Sequence, residues 1–273
     1  MSRQGLVNGV VADVVPADDR GLHYGHGLFE TMRLSAGSIP LWSRHRERLL
    51  RDAAALGISC EEAIIDRELQ LALARWPREG VVKLIVTAGA GGAGYRTETP
   101  LCANRILGYR PMPAPRAPLR VQLCRHRLAD SPQLAGIKHL NRLDQVLAAR
   151  ELPPGGEGLL QDGAGQVVEG LSGNLFVKTA AGWRTPPLVR AGVRGVMREL
   201  LRTEIFPALG VPVVEHGVTV EELFAAETLF LCNAVRGVEP VAWIEPAHRL
   251  LDIAPVRVIA RALERRWPCF ASC

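Results

Sequence analysis

The segment PMPAPRAP, at residues 111–118, limits the folding of this chain more than any other feature, because it places four prolines among eight residues. Proline has no backbone N–H and fixes its own φ angle, so this segment is excluded from a central strand and from the interior of a helix. Each proline also favours extended conformations in the residue before it, which is typical of a stiff linker. We therefore predict a small N-terminal domain over residues 1–112, a linker over 113–118 and a larger C-terminal domain over 119–273.

Before the linker, the apolar pattern changes from strands to helices and back to strands. Apolar residues around the pair Asn8-Gly9 predict a β-hairpin, and those around Ala36-Gly37 predict a second one. From Ser43 the spacing becomes helical, and we expect Ser43 to cap a helix that ends at Gly57. The small domain is completed by a helix over 61–75 and by strands over 81–88 and 104–110.

After the linker, strand-like segments outnumber helical ones. LRVQLCR predicts a strand, whereas LNRLDQVLAARE has helical spacing and places Leu140, Leu143 and Val146 on one face. Further strands are expected at GLLQD, QVVEG, NLFVKT, GWRTP, VPVVEH, TLFLCNAV and VEPVAWI, and further helices near 195–206, 219–225 and 254–266. The mixture predicts an α+β protein with a small N-terminal α/β domain and a larger strand-rich C-terminal domain.

Composition excludes several classes of protein. The chain has 273 residues, 48% of them hydrophobic, which is enough for one or two buried cores. Its 33 basic and 28 acidic residues give a net charge of +5, which suits anionic small-molecule substrates and does not require nucleic acid. It has no apolar run of membrane-spanning length and no secretory-signal pattern at the N-terminus, so we expect no membrane association. Six cysteines without a CxxC pair or zinc-site spacing indicate reduced thiols in a cytoplasmic protein without a metal centre.

Lysine is scarce, and this narrows any amine chemistry to a few positions. Of the 33 basic residues only three are lysines, namely Lys83, Lys138 and Lys178. A genome that favours arginine codons explains most of this bias, but arginine cannot replace lysine where a neutral amine is needed, because its guanidinium group keeps its proton. Lys138, in AGIKHLNRLDQ, stands just before a predicted helix. The pattern alone is compatible with a solvated lysine and with an imine-forming lysine.

Three further features would complete a site for pyridoxal 5′-phosphate (PLP). Glu169 follows a predicted strand-turn-strand, and a carboxylate beside the pyridine nitrogen of PLP keeps that nitrogen protonated. The glycine-rich segment 192–197 opens a predicted helix, whose first N–H groups attract anions. Arg48, in HRERL, offers charge-assisted contacts to a phosphate. Each feature alone is equally typical of an ordinary turn, cap or helix surface, but their combination points to a PLP enzyme.

The order of these segments resembles the fold type IV PLP-dependent enzymes, which include branched-chain and D-amino-acid aminotransferases and 4-amino-4-deoxychorismate lyases. The resemblance covers nearly the whole chain. It is carried by DRGLHYGHGLFETMRL (19–34), HRERL (45–49), KHLNRLDQVLAARE (138–151), EGLSGNLF (169–176), AGVRGVMR (191–198) and CNAVRGVEPV (232–241).

The resemblance implies a two-domain fold like that of D-amino-acid aminotransferase, PLP as the cofactor and a homodimer. It assigns Lys138 as the lysine that carries PLP and Glu169 as the partner of the pyridine nitrogen. The remaining cofactor contacts are assigned to Arg48, the backbone amides of Val196 and Met197, and Asn233.

Within the family, KHLNRLDQVLAAR, CNAV and Thr31 in FETMR resemble the lyase branch more than the aminotransferases. The resemblance therefore implies a lyase of folate biosynthesis that converts aminodeoxychorismate (4-amino-4-deoxychorismate) into 4-aminobenzoate and pyruvate, with Lys138 and Thr31 as catalytic residues. The alternative is a class IV aminotransferase acting on branched-chain or D-amino acids. A third hypothesis, a nucleic-acid- or protein-binding domain built on the arginines of 44–51, is disfavoured because no aromatic residues lie between them.

Two departures from the family pattern concern the substrate side of the site. The loop TAGAGGAGY (87–95) has Ala88 and Ala93 where the lyases usually carry arginines, which would be natural partners for substrate carboxylates. Arg33 and Arg96 are candidate replacements. His26 stands where the motif YGDG has an acidic residue, which we interpret as a local turn effect.

Overall fold

A computed structural model of the chain describes residues 5–91, 94–97, 101–245, 247 and 249–271. The chain divides into two compact units. The first unit comprises Met1–Pro113 together with Lys138–Asn141, and the second comprises Ala114–Ile137 together with Arg142–Cys273. The first unit therefore includes a short segment from beyond the proline-rich stretch, which the predicted domain scheme assigned to the C-terminal part; that scheme stays a prediction.

The first unit is built on a five-stranded antiparallel sheet with the order β2-β1-β5-β4-β3. Its elements are β1 (Leu6–Val7), β2 (Val10–Val11), α1 (Arg20–Tyr24), β3 (Gly27–Leu34), α2 (Trp42–Ala55), α3 (Glu62–Leu73), β4 (Gly80–Thr87) and β5 (Asn104–Arg110). Alternate residues of β3, among them Leu28, Met32 and Leu34, are buried in one apolar core with residues of α2 and α3. The intervening residues, Phe29 and Thr31 among them, therefore lie on the opposite face of the sheet.

The predicted hairpin at Asn8-Gly9 is confirmed, because both residues have positive φ angles, 52° and 77°, and join β1 to β2. At Ala36-Gly37 the same turn occurs, but the returning arm is reduced to a single bridge at Ser38. The predicted cap at Ser43 is wrong. The helix α2 begins one residue earlier, at Trp42, because a backbone turn ending in the buried Leu41 leads directly into it without a side-chain cap.

The second unit is built on a larger sheet. Its elements are β6 (Leu119–Arg127), α4 (Leu143–Ala149), β7 (Glu157–Gln161), β8 (Val167–Gly170), β9 (Asn174–Thr179), β10 (Gly182–Thr185), α5 (Val196–Leu200), α6 (Phe206–Ala208), β11 (Val213–Glu215), α7 (Val220–Ala225), β12 (Thr228–Asn233), β13 (Gly237–Ile244), β14 (Arg249–Leu250) and α8 (Ala254–Arg266). A π-helical turn, Leu201–Ile205, joins α5 to α6, and a 3₁₀ turn, Pro268–Phe270, follows α8. The strand order is β11-β10-β9-β12-β13-β6-β7-β8, and β14 pairs with β13.

An additional pairing of β8 with β9 closes six of these strands into a barrel-like ring. The strands of this ring point apolar residues such as Val121, Leu175 and Val241 into a common core. Two strand-rich units carrying helices confirm the predicted α+β fold class. The helix predicted from Leu140 instead begins at Leu143, and its Leu143 and Val146 are exposed.

Candidate active site

Lys138 belongs to a short segment that lies along the edge strand β3 of the first unit. The Phe29 N–H donates to the Lys138 carbonyl at 3.0 Å, and the Leu140 N–H donates to the Gly27 carbonyl at 2.9 Å. Between these bonds, Leu28 and His139 form an antiparallel bridge. The backbone of the lysine is therefore fixed by strand pairing, although the segment is too short to be a strand of its own.

Two glycines of the motif YGHGLFE make room for this segment. Gly25 has a φ of +64°, and a Cβ at this position would lie 2.1 Å from Asn141 Oδ1. A Cβ at Gly27 would lie 2.7 Å from a methyl group of Leu140. Their spacing in the sequence therefore follows from the close approach of residues 138–141 to β3.

The face of β3 opposite the core brings two amines to one aromatic ring. The Lys138 Nζ lies 4.4 Å from the centre of the Phe29 ring, and the Lys83 Nζ, from the neighbouring strand β4, lies 4.8 Å from it. Thr31 is the direct cross-strand partner of Lys83, on the same face. The structure thus places Thr31, Phe29 and the two lysines on one side of the sheet.

Lys83 is one of the three candidate amines in the sequence, but no role was predicted for it. Burial lowers the pKa of Lys83 below its ordinary value, and the guanidinium group of Arg110 lowers it further. Strand register puts Arg33 and Arg110 on the same face, both opposite Val81. This face of the sheet therefore carries three cationic side chains beside Thr31.

Arg48 lies on the core side of β3, where it forms a buried cluster with Glu30 and His45. The Arg48 guanidinium donates to both oxygens of Glu30, through Nε at 2.8 Å and through Nη2, and His45 Nδ1 lies 2.6 Å from Glu30 Oε2. Burial alone would raise the pKa of Glu30, but the Arg48 charge and the His45 contact lower it to about 2. Burial lowers the pKa of His45, so a neutral imidazole donates from Nδ1 to the carboxylate near pH 7. The role of Arg48 towards a phosphate stays a prediction.

In the second unit, Glu169 on β8 is 5% exposed and accepts hydrogen bonds through its Oε2. Its Oε2 accepts hydrogen bonds from the Val193 N–H at 2.9 Å and from Asn174 Nδ2 at 3.5 Å. The Asn174 amide also donates to the Val193 carbonyl at 2.7 Å. Asn174, on β9, thereby ties the carboxylate to the glycine-rich segment 192–197, a link that the motif EGLSGNLF carries but the sequence alone did not reveal.

The segment 192–197 leads into α5 with its first amides uncapped. Gly192 has a φ of +89°, and a Cβ at Gly195 would lie 2.0 Å from Asn174 Oδ1, so both positions require glycine. Gly195 precedes α5, and no side chain caps the helix. Val196 and Met197 are therefore the first residues of a helix, where backbone N–H groups lack partners within the helix.

A buried arginine anchors the start of α5. The Arg198 guanidinium is 1% exposed and donates to Thr185 Oγ1 at 3.2 Å, to the Pro186 carbonyl at 3.0 Å and to Glu215 at 2.6 Å. Gly136 adds two backbone bonds to the same segment, donating to the Gly192 carbonyl and accepting from the Arg194 N–H. The amides of Val196 and Met197 thus stand on a rigid turn.

The chemistry of these groups fits PLP. A buried carboxylate can pair with a protonated pyridine nitrogen, and uncapped amides at the start of a helix can bind a phosphate. A lysine amine can form an imine with an aldehyde. Lys138 belongs to the first unit, whereas Glu169, Val196 and Met197 belong to the second.

Asn233 ends β12 and uses its amide to shape the turn that follows. Its Oδ1 accepts from the N–H groups of Val235 at 3.0 Å and Arg236 at 2.8 Å, and its Nδ2 donates to the Ser172 carbonyl at 3.3 Å. The motif CNAV therefore encodes an Asn-stabilised turn. The cofactor contact assigned to Asn233 stays a prediction.

The departures at Ala88 and His26 lie side by side. Ala88 is fully buried in the core of the first unit, and its N–H donates to the His26 carbonyl at 3.0 Å. The His26 ring accepts from Arg20 Nε at 3.3 Å and contacts the Leu56 carbonyl at 2.9 Å. His26 thus connects α1 to the end of α2, which is more than the local turn effect that we predicted. Ala93 lies outside the described residues.

The arginines of 44–51 are used largely within the chain. Arg46 forms ion pairs with Glu62 and Asp66 on α3, and Arg51 pairs with Asp52. These pairs, with that of Arg48, explain the density of arginines on α2 without a nucleic-acid partner. Among the described residues, none of the helices has the length and apolar character needed to span a bilayer, and no group of three His, Cys, Asp or Glu side chains is arranged as a metal site.

Comparison with known proteins defines the class. Residues 27–244 match the family model described as amino-transferase class IV. The chain therefore belongs to the class IV aminotransferase family, a family of PLP-dependent enzymes.

Particular relatives lie in two branches of that family. The chain is similar to the crystal structure of a 4-amino-4-deoxychorismate lyase from Pseudomonas aeruginosa, with a TM-score of 0.91 and 38% identity over 96% of this chain and 99% of that one. It is 29% identical to an aminodeoxychorismate lyase from Vibrio harveyi over 94% of this chain and 97% of the relative. It is also 28% identical to a putative branched-chain-amino-acid aminotransferase from Methanocaldococcus jannaschii, over 91% of this chain and 88% of the relative.

Proposed function

We propose that this enzyme is a PLP-dependent lyase that converts 4-amino-4-deoxychorismate into 4-aminobenzoate and pyruvate. The observation that carries the proposal is the position of Thr31, directly opposite Lys83 on the face of β3 where Lys138 also lies. This arrangement places a hydroxyl group and two amines on one surface. The similarity to the lyases of P. aeruginosa and V. harveyi supports the same branch of the family.

The cofactor would be held through three of its groups, namely its aldehyde, its pyridine nitrogen and its phosphate. Lys138 would bind its aldehyde, Glu169 its pyridine nitrogen, and the amides of Val196 and Met197, with Arg48, its phosphate. When bound, PLP supplies an electron sink for the bond cleavage. Glu169 accepts hydrogen bonds from the Val193 N–H and from the Asn174 amide, and a carboxylate in this position would favour a protonated ring nitrogen.

Lys138 and Thr31 would divide the proton transfers between them. The Lys138 amine takes the proton from the ring carbon that bears the substrate nitrogen, and the ether bond to the enolpyruvyl group breaks as the ring becomes aromatic. Thr31 assists proton delivery to the methylene carbon of the departing enolpyruvate, which becomes pyruvate. No atom is added or lost, so the reaction requires no second substrate.

The cations beside Thr31 would bind the substrate carboxylates. Lys83 faces the ring of Phe29, and Arg33 and Arg110 lie on the same face of the sheet. These three side chains offer the positive charge that Ala88 cannot provide from its buried position. A substrate with two carboxylates suits this face better than a neutral branched-chain amino acid does.

The second candidate function is amino transfer, which the similarity to the M. jannaschii relative supports. It would use the same lysine and carboxylate but would require an α-keto acid as amino acceptor. In either case we propose a cytoplasmic homodimer, following the family resemblance.

The decisive experiment measures pyruvate released from 4-amino-4-deoxychorismate with and without added 2-oxoglutarate. A lyase releases pyruvate at the same rate in both reactions, whereas an aminotransferase requires the keto acid. Amino transfer from leucine or D-alanine to 2-oxoglutarate, with no pyruvate released from 4-amino-4-deoxychorismate in its own reaction, would refute the proposal.

Thr31 is tested with a matched pair of variants in the same assay. Thr31→Val keeps the shape of the side chain and removes the hydroxyl, and we expect kcat to fall about 10²-fold, within the range of a proton-transfer group. Thr31→Ser should retain most activity, and both variants should bind PLP like the wild type. Equal turnover by the valine variant would remove Thr31 from the mechanism.

A further inference from the structure

Asp52 is a buried carboxylate in an unfavourable position. It lies in the last turn of α2 and is 2% exposed. The C-terminal end of a helix carries partial negative charge, so an acidic side chain there is disfavoured, and burial disfavours its charge further. A carboxylate in such a place requires specific donors.

Each carboxylate oxygen of Asp52 accepts hydrogen bonds from a different residue. Its Oδ1 accepts from the neighbouring Arg51, through Nε at 3.0 Å and Nη2 at 2.7 Å. Its Oδ2 accepts from the backbone N–H of Lys138 at 3.2 Å. The first donor comes from a half-exposed side chain of the same helix, whereas the second comes from a residue 86 positions away in the sequence.

The contact with Lys138 completes the attachment of that residue to the first unit. The pairing with β3 holds the Lys138 carbonyl through Phe29 and holds Leu140 through Gly27. Asp52 holds the amide on the other side of the same Cα atom.

We propose that Asp52 is a positioning residue for Lys138: its carboxylate fixes the backbone amide of the lysine and thereby the point from which the amine reaches the reacting atoms. The inference rests on the proposed role of Lys138, but not on whether the enzyme is a lyase or an aminotransferase. A lysine side chain has four rotatable bonds, so its amine is placed reproducibly only if its Cα is fixed. Misplacement of a reacting group by about 1 Å lowers rates about 10²-fold.

The test compares Asp52→Ala and Asp52→Asn with a control, Asp66→Ala. Asn keeps an acceptor oxygen for the Lys138 amide, whereas Ala removes it. Asp66 on α3 accepts from Trp42 Nε1 at 2.8 Å and from Arg46 at 2.7 Å, so its removal also breaks an ion pair with an arginine of α2. Hydrogen exchange of the Lys138 amide is measured by NMR on the PLP-loaded enzymes, together with kcat and KM.

We expect the Lys138 amide to exchange at least about 10-fold faster in Asp52→Ala, as for loss of a hydrogen bond to a charged group. The kcat should fall by a similar factor while KM changes little, and Asp52→Asn should restore both values to within about 3-fold of the wild type. Asp66→Ala should leave the exchange unchanged.

Unchanged exchange in Asp52→Ala overturns the proposal, whatever happens to activity. If the alanine variant does not fold, Asp52→Ser makes the same comparison, because its hydroxyl is too short to reach the amide. Failure of the lyase proposal would appear as absent pyruvate release in the wild type, and the exchange measurement would still decide the role of Asp52.

Discussion

Glu30 in the first unit and Glu169 in the second are both buried carboxylates, and they accept hydrogen bonds from different kinds of donor. Glu30 is 1% exposed and meets the Arg48 guanidinium on both oxygens, so its charge is balanced within the core. Glu169 is 5% exposed, and the donors to its Oε2 are a backbone N–H and an amide. We expect Glu30 to contribute mainly to stability, and Glu169 to contribute mainly to the proposed binding of the pyridine nitrogen of PLP.

The largest effect is expected when the charge of Glu30 is removed. Glu30→Gln replaces the carboxylate that the buried Arg48 guanidinium contacts with a neutral amide, and we expect the free energy of unfolding to fall by about 3–5 kcal/mol. Urea unfolding followed by tryptophan fluorescence measures it. The control is Glu227→Gln, whose partner Lys178 is 35% exposed. Because exposed ion pairs contribute little, this variant should lose less than about 1 kcal/mol of the free energy of unfolding. Similar losses for both variants would contradict a stabilising role specific to Glu30.

Acid should destabilise the wild type through the same residue. The pKa of Glu30 is lowered from an ordinary value of 4.5 to about 2 in the folded protein. A lowered folded pKa stabilises the protein above the unfolded pKa, so this stabilisation is complete above about pH 4.5 and disappears as the pH falls towards 2. The loss amounts to about 3 kcal/mol. Unfolding curves across this range should converge for the wild type and Glu30→Gln, and parallel curves would exclude Glu30 as the cause.

Replacing Glu169 should lower activity more than stability, in contrast to replacing Glu30. Glu169→Gln keeps a carbonyl oxygen for the Val193 N–H, so the free energy of unfolding should change by less than about 1 kcal/mol. Loss of the charge should lower kcat about 10²-fold, as for other groups that stabilise developing charge. Steady-state kinetics and urea unfolding of the same sample separate the two effects. A variant with full activity would exclude Glu169 as the partner of the ring nitrogen.

The smallest effect on stability is expected when Asn174, which donates a hydrogen bond to Glu169, is replaced. Asn174→Ala removes the donor to the Val193 carbonyl and to Glu169 Oε2, and we expect a loss of about 1 kcal/mol in stability. The affinity for PLP, measured by equilibrium titration, should weaken more than stability does, because the segment 192–197 loses its tie to β9. An affinity equal to that of the wild type would show that this segment keeps its conformation without Asn174.

Patterns of local spacing predicted much of the fold. The last helix was expected over 254–266 and is found at Ala254–Arg266, because its apolar residues repeat with helical period. The turn at Asn8-Gly9 was predicted because few residues tolerate positive φ. The helix expected from Leu140 failed at its start, because Leu140 pairs with Gly27 of β3 instead. Strand pairing with a distant residue overrode a local helical pattern.

In the candidate site, too, some residues were predicted from the sequence and others were found only in the structure. Lys138, Glu169 and the glycines of 192–197 were named from the sequence, because scarce lysines, a turn-flanked carboxylate and paired glycines are local signals. Asp52, Glu30 and His45 were not, because nothing in the sequence near them shows their partners.

The sequence by itself determined which residue types are available for amine chemistry, where the chain turns, and that it resembles class IV aminotransferases. Only the tertiary structure decided that Arg48 lies on the Glu30 side of β3, that Lys83 shares the Phe29 ring with Lys138, and that Asp52 holds the Lys138 amide. The physical reason is that helical and strand periods arise within a few residues. The partner of a buried charge, in contrast, is set by strand register and packing between segments far apart in the chain.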